Sequence, residues 1–254
     1  MELEQFSPKR IKYTKRNNVK ILCLRVFVVK KEKTMERHFQ RDLEQLKSNV
    51  IKMGSLVERN LIDALEAVLK NDAALASKVI AADGNVNKFE IEIDNGVVDL
   101  LALQQPVASD LRLILAIQKI NNDLERIGDH AVNIAESAFR LVETPQDEPL
   151  LEIPNMAMIA KEMFQQALDA FVHLNAALAQ SVLESDDRID ALNRGMNAKV
   201  VKMIKKDPKS IEGGLELLRI SRNLERVADL TTNIAEEVIF HTQARIVKHH
   251  AEEK

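Results

Sequence analysis

Between residues 110 and 142 the apolar positions fall in alternating steps of four and three: Leu113, Ile117, Ile120, Leu124, Ile127, Ala131, Ile134, Ala138 and Leu141. On an α-helix that rhythm keeps one face apolar, and four heptads of it make a packing seam. A second seam follows at Leu217, Ile220, Leu224, Val227, Thr231, Ile234 and Val238, each 100 residues beyond its counterpart. Chain breakers are few, with 7 Gly and 6 Pro in 254 residues. Asn71-Asp72, Gln105-Pro106, Ser109-Asp110, Thr144 to Pro154, Ser185-Asp186-Asp187 and Asp207-Pro208 are the places where a helix can stop or be capped. They predict six helices over 36–70, 73–104, 110–142, 155–180, 184–206 and 209–247. Helices of this length in a chain of ordinary polarity imply bundle packing.

The repeat extends to polar residues. Leu124-Glu125-Arg126-Ile127-Gly128-Asp129 with Asn133-Ile134-Ala135-Glu136 returns as Leu224-Glu225-Arg226-Val227-Ala228-Asp229 with Asn233-Ile234-Ala235-Glu236. Upstream, Ala73-Ala74-Leu75-Ala76 returns as Ala176-Ala177-Leu178-Ala179, at an offset of 103. A loop between the second and third helices of each half absorbs the difference. The chain is therefore a duplicated three-helix unit: an all-α fold of two tandem, pseudo-symmetric antiparallel three-helix bundles, over 35–144 and 155–248, with a linker at 145–154.

Charge sets residues 1–34 apart. They carry ten Lys/Arg against three acids, a net of +7, so the other 220 residues carry −10 of the total −3. This stretch lacks helical periodicity and is β-branched around Val26–Val29; a disordered or extra N-terminal extension ahead of Met35 is expected, the alternative being a basic arm for anionic lipid or a partner. An acidic body disfavours nucleic acid and suits cations or basic surfaces. Cys23 is the one cysteine, which excludes a disulfide framework and fits a reducing compartment. The longest apolar run, Ile21–Val29, is nine residues interrupted by Arg25, too short for a bilayer and without a secretory cleavage site. A cytoplasmic protein is expected.

The repeated acids are the candidate chemistry. At 100° per residue, Glu125 and Asp129 share a stripe with Gln118, Asn122 and Glu136, pointing away from the seam; Glu225, Asp229 and Glu236 match it in the second half. Such a stripe is ordinarily a solvated outer face, and Arg126 and Arg226 are placed to neutralise it. Yet an acidic pair four residues apart costs a few tenths of a kcal/mol through repulsion, and here it occurs twice at matching positions. Paired carboxylates with nearby amides (Asn133, Asn233) are hard oxygen donors for Mg²⁺, Mn²⁺ or iron. Carboxylate di-iron enzymes need Glu-x-x-His aimed into the bundle core, and no glutamate here has a histidine three residues on. His38, His130, His173, His241, His249 and His250 show no ligand spacing and are read as surface residues. No nucleophile constellation, phosphate-cradling glycine loop or zinc motif is present. A metal-dependent phosphohydrolase, an iron-storage bundle and a purely structural bundle remain as competing readings of the acids.

Taken together, these residues resemble the PhoU family of phosphate-transport regulators. The resemblance rests on Glu125–Asp129 and Glu225–Asp229, on Gln105-Pro106-Val107-Ala108-Ser109-Asp110-Leu111-Arg112, and on Gly84-Asn85-Val86-Asn87, and it covers about 35–245. It implies a non-enzymatic negative regulator of phosphate uptake and of the phosphate-starvation response. Such a protein is peripheral to the inner membrane through its partners: the ATPase subunit of a phosphate ABC transporter and a phosphate-sensing histidine kinase. It also implies a homodimer and surface metal at the acidic motifs; Asn122, Asn133, Glu136, Asn233 and Glu236, on or beside the acidic stripes, are further candidate ligands by position. Two positions depart from symmetry. Gly128 is a poor mid-helix residue where the second copy has Ala228, and Arg222 replaces Asn122, so the second site is expected to hold cations less well.

Overall fold

The computed structural model describes residues 16–144 and 150–245, with side chains from residue 38 onward. Among these it contains seven α-helices and one 3₁₀ turn: α1 Arg16–Lys70, α2 Ala73–Ala82, α3 Gly84–Gln104, α4 Ala108–Leu141, α5 Ile153–His173, α6 Ala176–Lys206, the turn Pro208–Ser210, and α7 Ile211–Gln243. No strand occurs among the described residues. The chain separates into two units at Asp42/Leu43. The first holds the opening stretch of α1, where Arg41 Nη2 lies 3.0 Å from His38 Nδ1. Everything below concerns the second.

Three boundaries differ from the sequence reading. Helix α1 begins at Arg16 rather than 36, because from Lys9 to Met53 the sequence holds neither Gly nor Pro and nothing obliges the helix to stop. Residues 1–15, the start of the expected disordered extension, lie outside the described residues. The second predicted helix is interrupted at Asp83, ahead of Gly84, giving α2 and α3. The break expected after residue 180 lies instead at Leu174-Asn175. There Leu174 is left-handed (φ 49°), and the Asn175 side chain accepts from the N–H groups of Ala177 and Leu178, both at 3.1 Å. This turn copies Asn71-Asp72, where Asn71 has φ 54° and Asp72 accepts from Leu75 N–H at 2.9 Å. Ser185, taken as a breaker, instead donates its hydroxyl to the Ser181 carbonyl of its own helix at 3.0 Å.

Both predicted seams are buried. Leu113, Ile117, Ile120, Leu124, Ile127, Ala131, Ile134 and Ala138 on α4, and all seven seam residues of α7, are 5% exposed or less; Leu141 is half-buried. A second buried stripe with a seven-residue step runs beside each seam: Asn121, Gly128 and Ala135 on α4, and Ser221, Ala228 and Ala235 on α7. These small or polar residues let the second helix of each half come close. Asn121 Nδ2 donates to the Glu90 carbonyl (3.1 Å) and to Asp94 (2.8 Å) on α3. Ser221 Oγ donates to Asn193 on α6 at 2.7 Å. A Cβ on Gly128 would stand 3.4 Å from Val86 of α3, ordinary contact distance.

The third helices of the two halves also pack on each other. Lys119 pairs with Glu237 (2.8 Å), His130 bonds Asn223 (2.8 Å) and Arg140 bonds Glu216 (3.1 Å), so partner numbers fall as residue numbers rise. Helices α4 and α7 are thus antiparallel, and equivalent positions of the two repeats meet near Gly128 and Ala228. That crossing is an approximate twofold.

Two acidic grooves as the candidate site

The small-residue stripes decide where the repeated acids sit. They bring α2–α3 against α4 and α6 against α7, so the acids line grooves between helices rather than a free outer face. The expectation of an outward stripe is corrected in that respect. Asp129 is exposed, but Glu125, Glu225 and Asp229 are half-buried.

In the first groove Glu125 and Asp129 face Asp83 at the α2–α3 junction and Glu90 on α3. Burial pushes the Glu125 carboxyl up, and the charges of Asp129, Glu90 and Asp83 push it further, against Arg126. Asp129 is raised by burial and then by Asp83, against His130. Asn87 donates to Asp83 at 3.1 Å, while its own Oδ1 is buried with no hydrogen-bond partner among the described residues. Arg126 is 4.0 Å from Asp123, on the next turn back.

In the second groove Glu225 and Asp229 face Asp186 and Asp190 of α6. Oxygens of Asp186, Asp190 and Asp229 lie within 4.8 Å of one another. Burial raises Glu225 first, then Asp229 and Asp190, against Arg226 and Arg222. Asp229 is raised by burial and Asp190, against Arg226 and His130. Here the arginine engages the pair directly: Arg226 donates to Asp229 at 2.9 Å and lies 3.8 Å from Glu225.

The donors in both grooves are hard oxygens with a surplus of negative charge. They fit Mg²⁺, Mn²⁺ or iron, and the orphaned Asn87 oxygen adds a neutral donor to the first. Sequence reasoning found the α4 and α7 acids but missed Asp83, Glu90, Asp186 and Asp190. The signal was available: Asp83 and Asp186 are 103 residues apart, the offset that aligns the second helices, yet Asp186 was assigned to a break.

The remaining predicted ligands scatter. Asn122, Asn233 and Glu236 line a cavity of about 420 Å³ between α4 and α7, with Gln118, Lys119 and Glu237. Asn133 is exposed, and Glu136 pairs with Arg140 at 3.7 Å. Two histidines are not plain surface residues. His130 is half-buried against Asn223 near the crossing, and burial lowers His241, helped by Arg112 and Lys47 and opposed by Asp110. Among the described residues no helix is long and apolar enough to cross a membrane.

Comparison with known proteins gives one consistent result. The family described as PhoU domain matches twice, at residues 50–138 and 153–238, one match per repeat. The phosphate-specific transport system accessory protein PhoU homolog of Aquifex aeolicus is 39% identical over 84% of this chain and 97% of its own length. The phosphate-specific transport system accessory protein PhoU of Escherichia coli K12 is 31% identical over 85% of this chain and 90% of its own length. The crystal structure of PhoU from Pseudomonas aeruginosa superposes with a TM-score of 0.79 at 38% identity, covering 82% of this chain and all of that one. A phosphate transport system regulatory protein PhoU from Streptococcus pneumoniae gives 0.76 at 30% identity, over 83% and 99%.

Proposed function

Because the chain belongs to the PhoU family, we propose that it is a non-enzymatic negative regulator of phosphate uptake and of the phosphate-starvation response. In this reading it sits on the inner face of the membrane as an adaptor between the ATPase subunit of a phosphate ABC transporter and a phosphate-sensing histidine kinase. The accessory and regulatory roles printed for its relatives support the reading. The duplicated acid grooves carry it further. Each unites an acidic pair of the third helix with carboxylates of the second, and burial and the neighbouring negative charges hold the carboxyls of that third-helix pair above their ordinary values. A groove that stores repulsion is stabilised by a cation.

A divalent metal or iron is the cation we assign to them. Asp83, Asn87, Glu125 and Asp129 would hold it in the first groove, and Asp186, Asp190, Glu225 and Asp229 in the second. When bound, it supplies positive charge that locks the second helix of each half onto the third. The protein residues orient it and, in the second groove, set Arg226 against it.

Two measurements test the proposal. Deleting the gene should release phosphate-starvation genes in high phosphate; a strain that still represses them sinks the adaptor reading. Metal analysis of the native protein should show metal that is lost in Asp129→Ala/Asp229→Ala. Unchanged metal content removes the grooves from the account while leaving the regulatory role standing.

A further inference from the structure

The two second helices have diverged in charge. Over Gly84–Gln104, α3 carries Lys88 against Glu90, Glu92, Asp94 and Asp99, a net of −3. The equivalent window 187–207 carries six basic residues against Asp187, Asp190 and Asp207, a net of +3. The gain is concentrated at the end of α6. Lys202, Lys205 and Lys206 stand where the first half has Asp99, Ala102 and Leu103, and Lys209 follows in the 3₁₀ turn. All four are exposed, and among the described residues none forms an ion pair; Lys199, one turn earlier, is held by Glu152.

Apolar side chains stand among them. Val201 is 50% exposed, Ile211 49% and Leu215 57%. On the α6 wheel Val201, Lys205 and Lys202 fall within 100° of arc. Ile211 and Leu215 are one turn apart at the start of α7. That start is packed onto the end of α6, since a Cβ on Gly214 would stand only 2.9 Å from Val200. The result is one corner of the bundle that presents lysines around bare aliphatic groups.

We infer that this corner, at the α6–α7 turn, is a direct contact for an anionic lipid surface. Lysine clusters interleaved with apolar side chains are the pattern that binds anionic headgroups while the aliphatic groups enter the interface. Protein interfaces, by contrast, are depleted in lysine and prefer arginine, whose planar fork makes directed bonds. The rest of the body is acidic, but screening confines its repulsion to about 8 Å at physiological salt, so a basic corner can touch a surface that the body avoids. The contact goes beyond a peripheral position maintained through protein partners and does not depend on the metal assignment.

The test is sedimentation of the full chain with phosphatidylcholine vesicles, with and without phosphatidylglycerol. The wild type should bind only the anionic vesicles, and more weakly as salt rises. The variant Lys202→Gln/Lys205→Gln/Lys206→Gln/Lys209→Gln, with unchanged circular dichroism, should lose affinity by roughly fivefold per lysine, about 600-fold in total. Ile211→Ser/Leu215→Ser should lose less but measurably. Residues 1–34 are also basic, so Lys9→Gln/Arg10→Gln/Lys12→Gln/Lys15→Gln is the control and should bind close to wild type. A wild type that ignores anionic vesicles overturns the inference and leaves an acidic protein as the occupant of the corner. So does a four-lysine corner variant that binds normally while the N-terminal control fails. Either failure leaves the regulatory reading intact, because that is read in gene repression.

Discussion

The two acidic grooves are built on one plan and stabilised in different ways. In the first, Asn121 stitches α4 to α3 with two hydrogen bonds, and Arg126 lies toward Asp123. In the second, Ser221 supplies a single bond to Asn193, and Arg226 lies on the acids themselves. A duplicated site that keeps its carboxylates while exchanging its means of neutralising them separates two requirements. Clustered acids are retained in both copies. Among the described residues an arginine is paired directly with the acidic pair in only one, so the first groove stands in greater need of an external cation.

The largest effect on this contrast should come from the stitching residues. Asn121→Ala removes two buried hydrogen bonds and should cost about 2 kcal/mol, against about 1 kcal/mol for Ser221→Ala. Denaturant unfolding checks both, and equal costs would mean that the grooves are closed alike. Next comes Gly128, a helix-interior glycine with room for a methyl group at 3.4 Å from Val86. Gly128→Ala should stabilise by about 0.5 kcal/mol, the propensity gain less some crowding. A loss on calorimetry would show that the first groove needs a closer approach than the second, which carries Ala228.

Arginine removal should separate the grooves more finely. Arg226→Ala should destabilise the metal-free protein by no more than about 1 kcal/mol, read as a lower melting temperature, and added Mg²⁺ or Mn²⁺ should restore it. Arg126→Ala should do little in either condition. Smallest is the dependence on pH. The raised acids contribute stability that is present below their ordinary values of 4.5 and 3.8 and is lost as pH climbs through the raised ones. His241 opposes them. Its lowered value means stability present above 6.5 and lost as pH falls below it. Asp129→Asn should therefore weaken the acid-side gain of the metal-free protein without moving the His241 limb. Melting curves from pH 4 to 8 that are unchanged by the substitution would show that Asp129 is not under strain.

Much of this was legible in the sequence, for identifiable reasons. A seam of single residues one per turn depends only on helix geometry, so α4 and α7 could be read to within a few residues, repeat included. The acids on those helices were legible for the same reason. Their partners were not, because which helix covers a stripe is a matter of packing. It was decided here by the small residues Asn121, Gly128 and Ala135 beside the seam, whose glycine looked like a local defect. The turn at Leu174-Asn175 was missed because Leu174 is an unexpected left-handed residue; its match to Asn71-Asp72 is visible only through the repeat. The early start of α1 was missed because β-branched residues weaken a helix without ending it.

The antiparallel crossing of α4 and α7 has one more consequence. Each acidic pair rides on one of these two helices, and the helices bear on each other at equivalent positions. Sliding one along the other by the rise of a single residue, about 1.5 Å, displaces both pairs at once and in opposite senses. The spacing between the two acidic pairs is therefore set by how the two third helices interlock, and any shift along that crossing changes the position of one pair relative to the other.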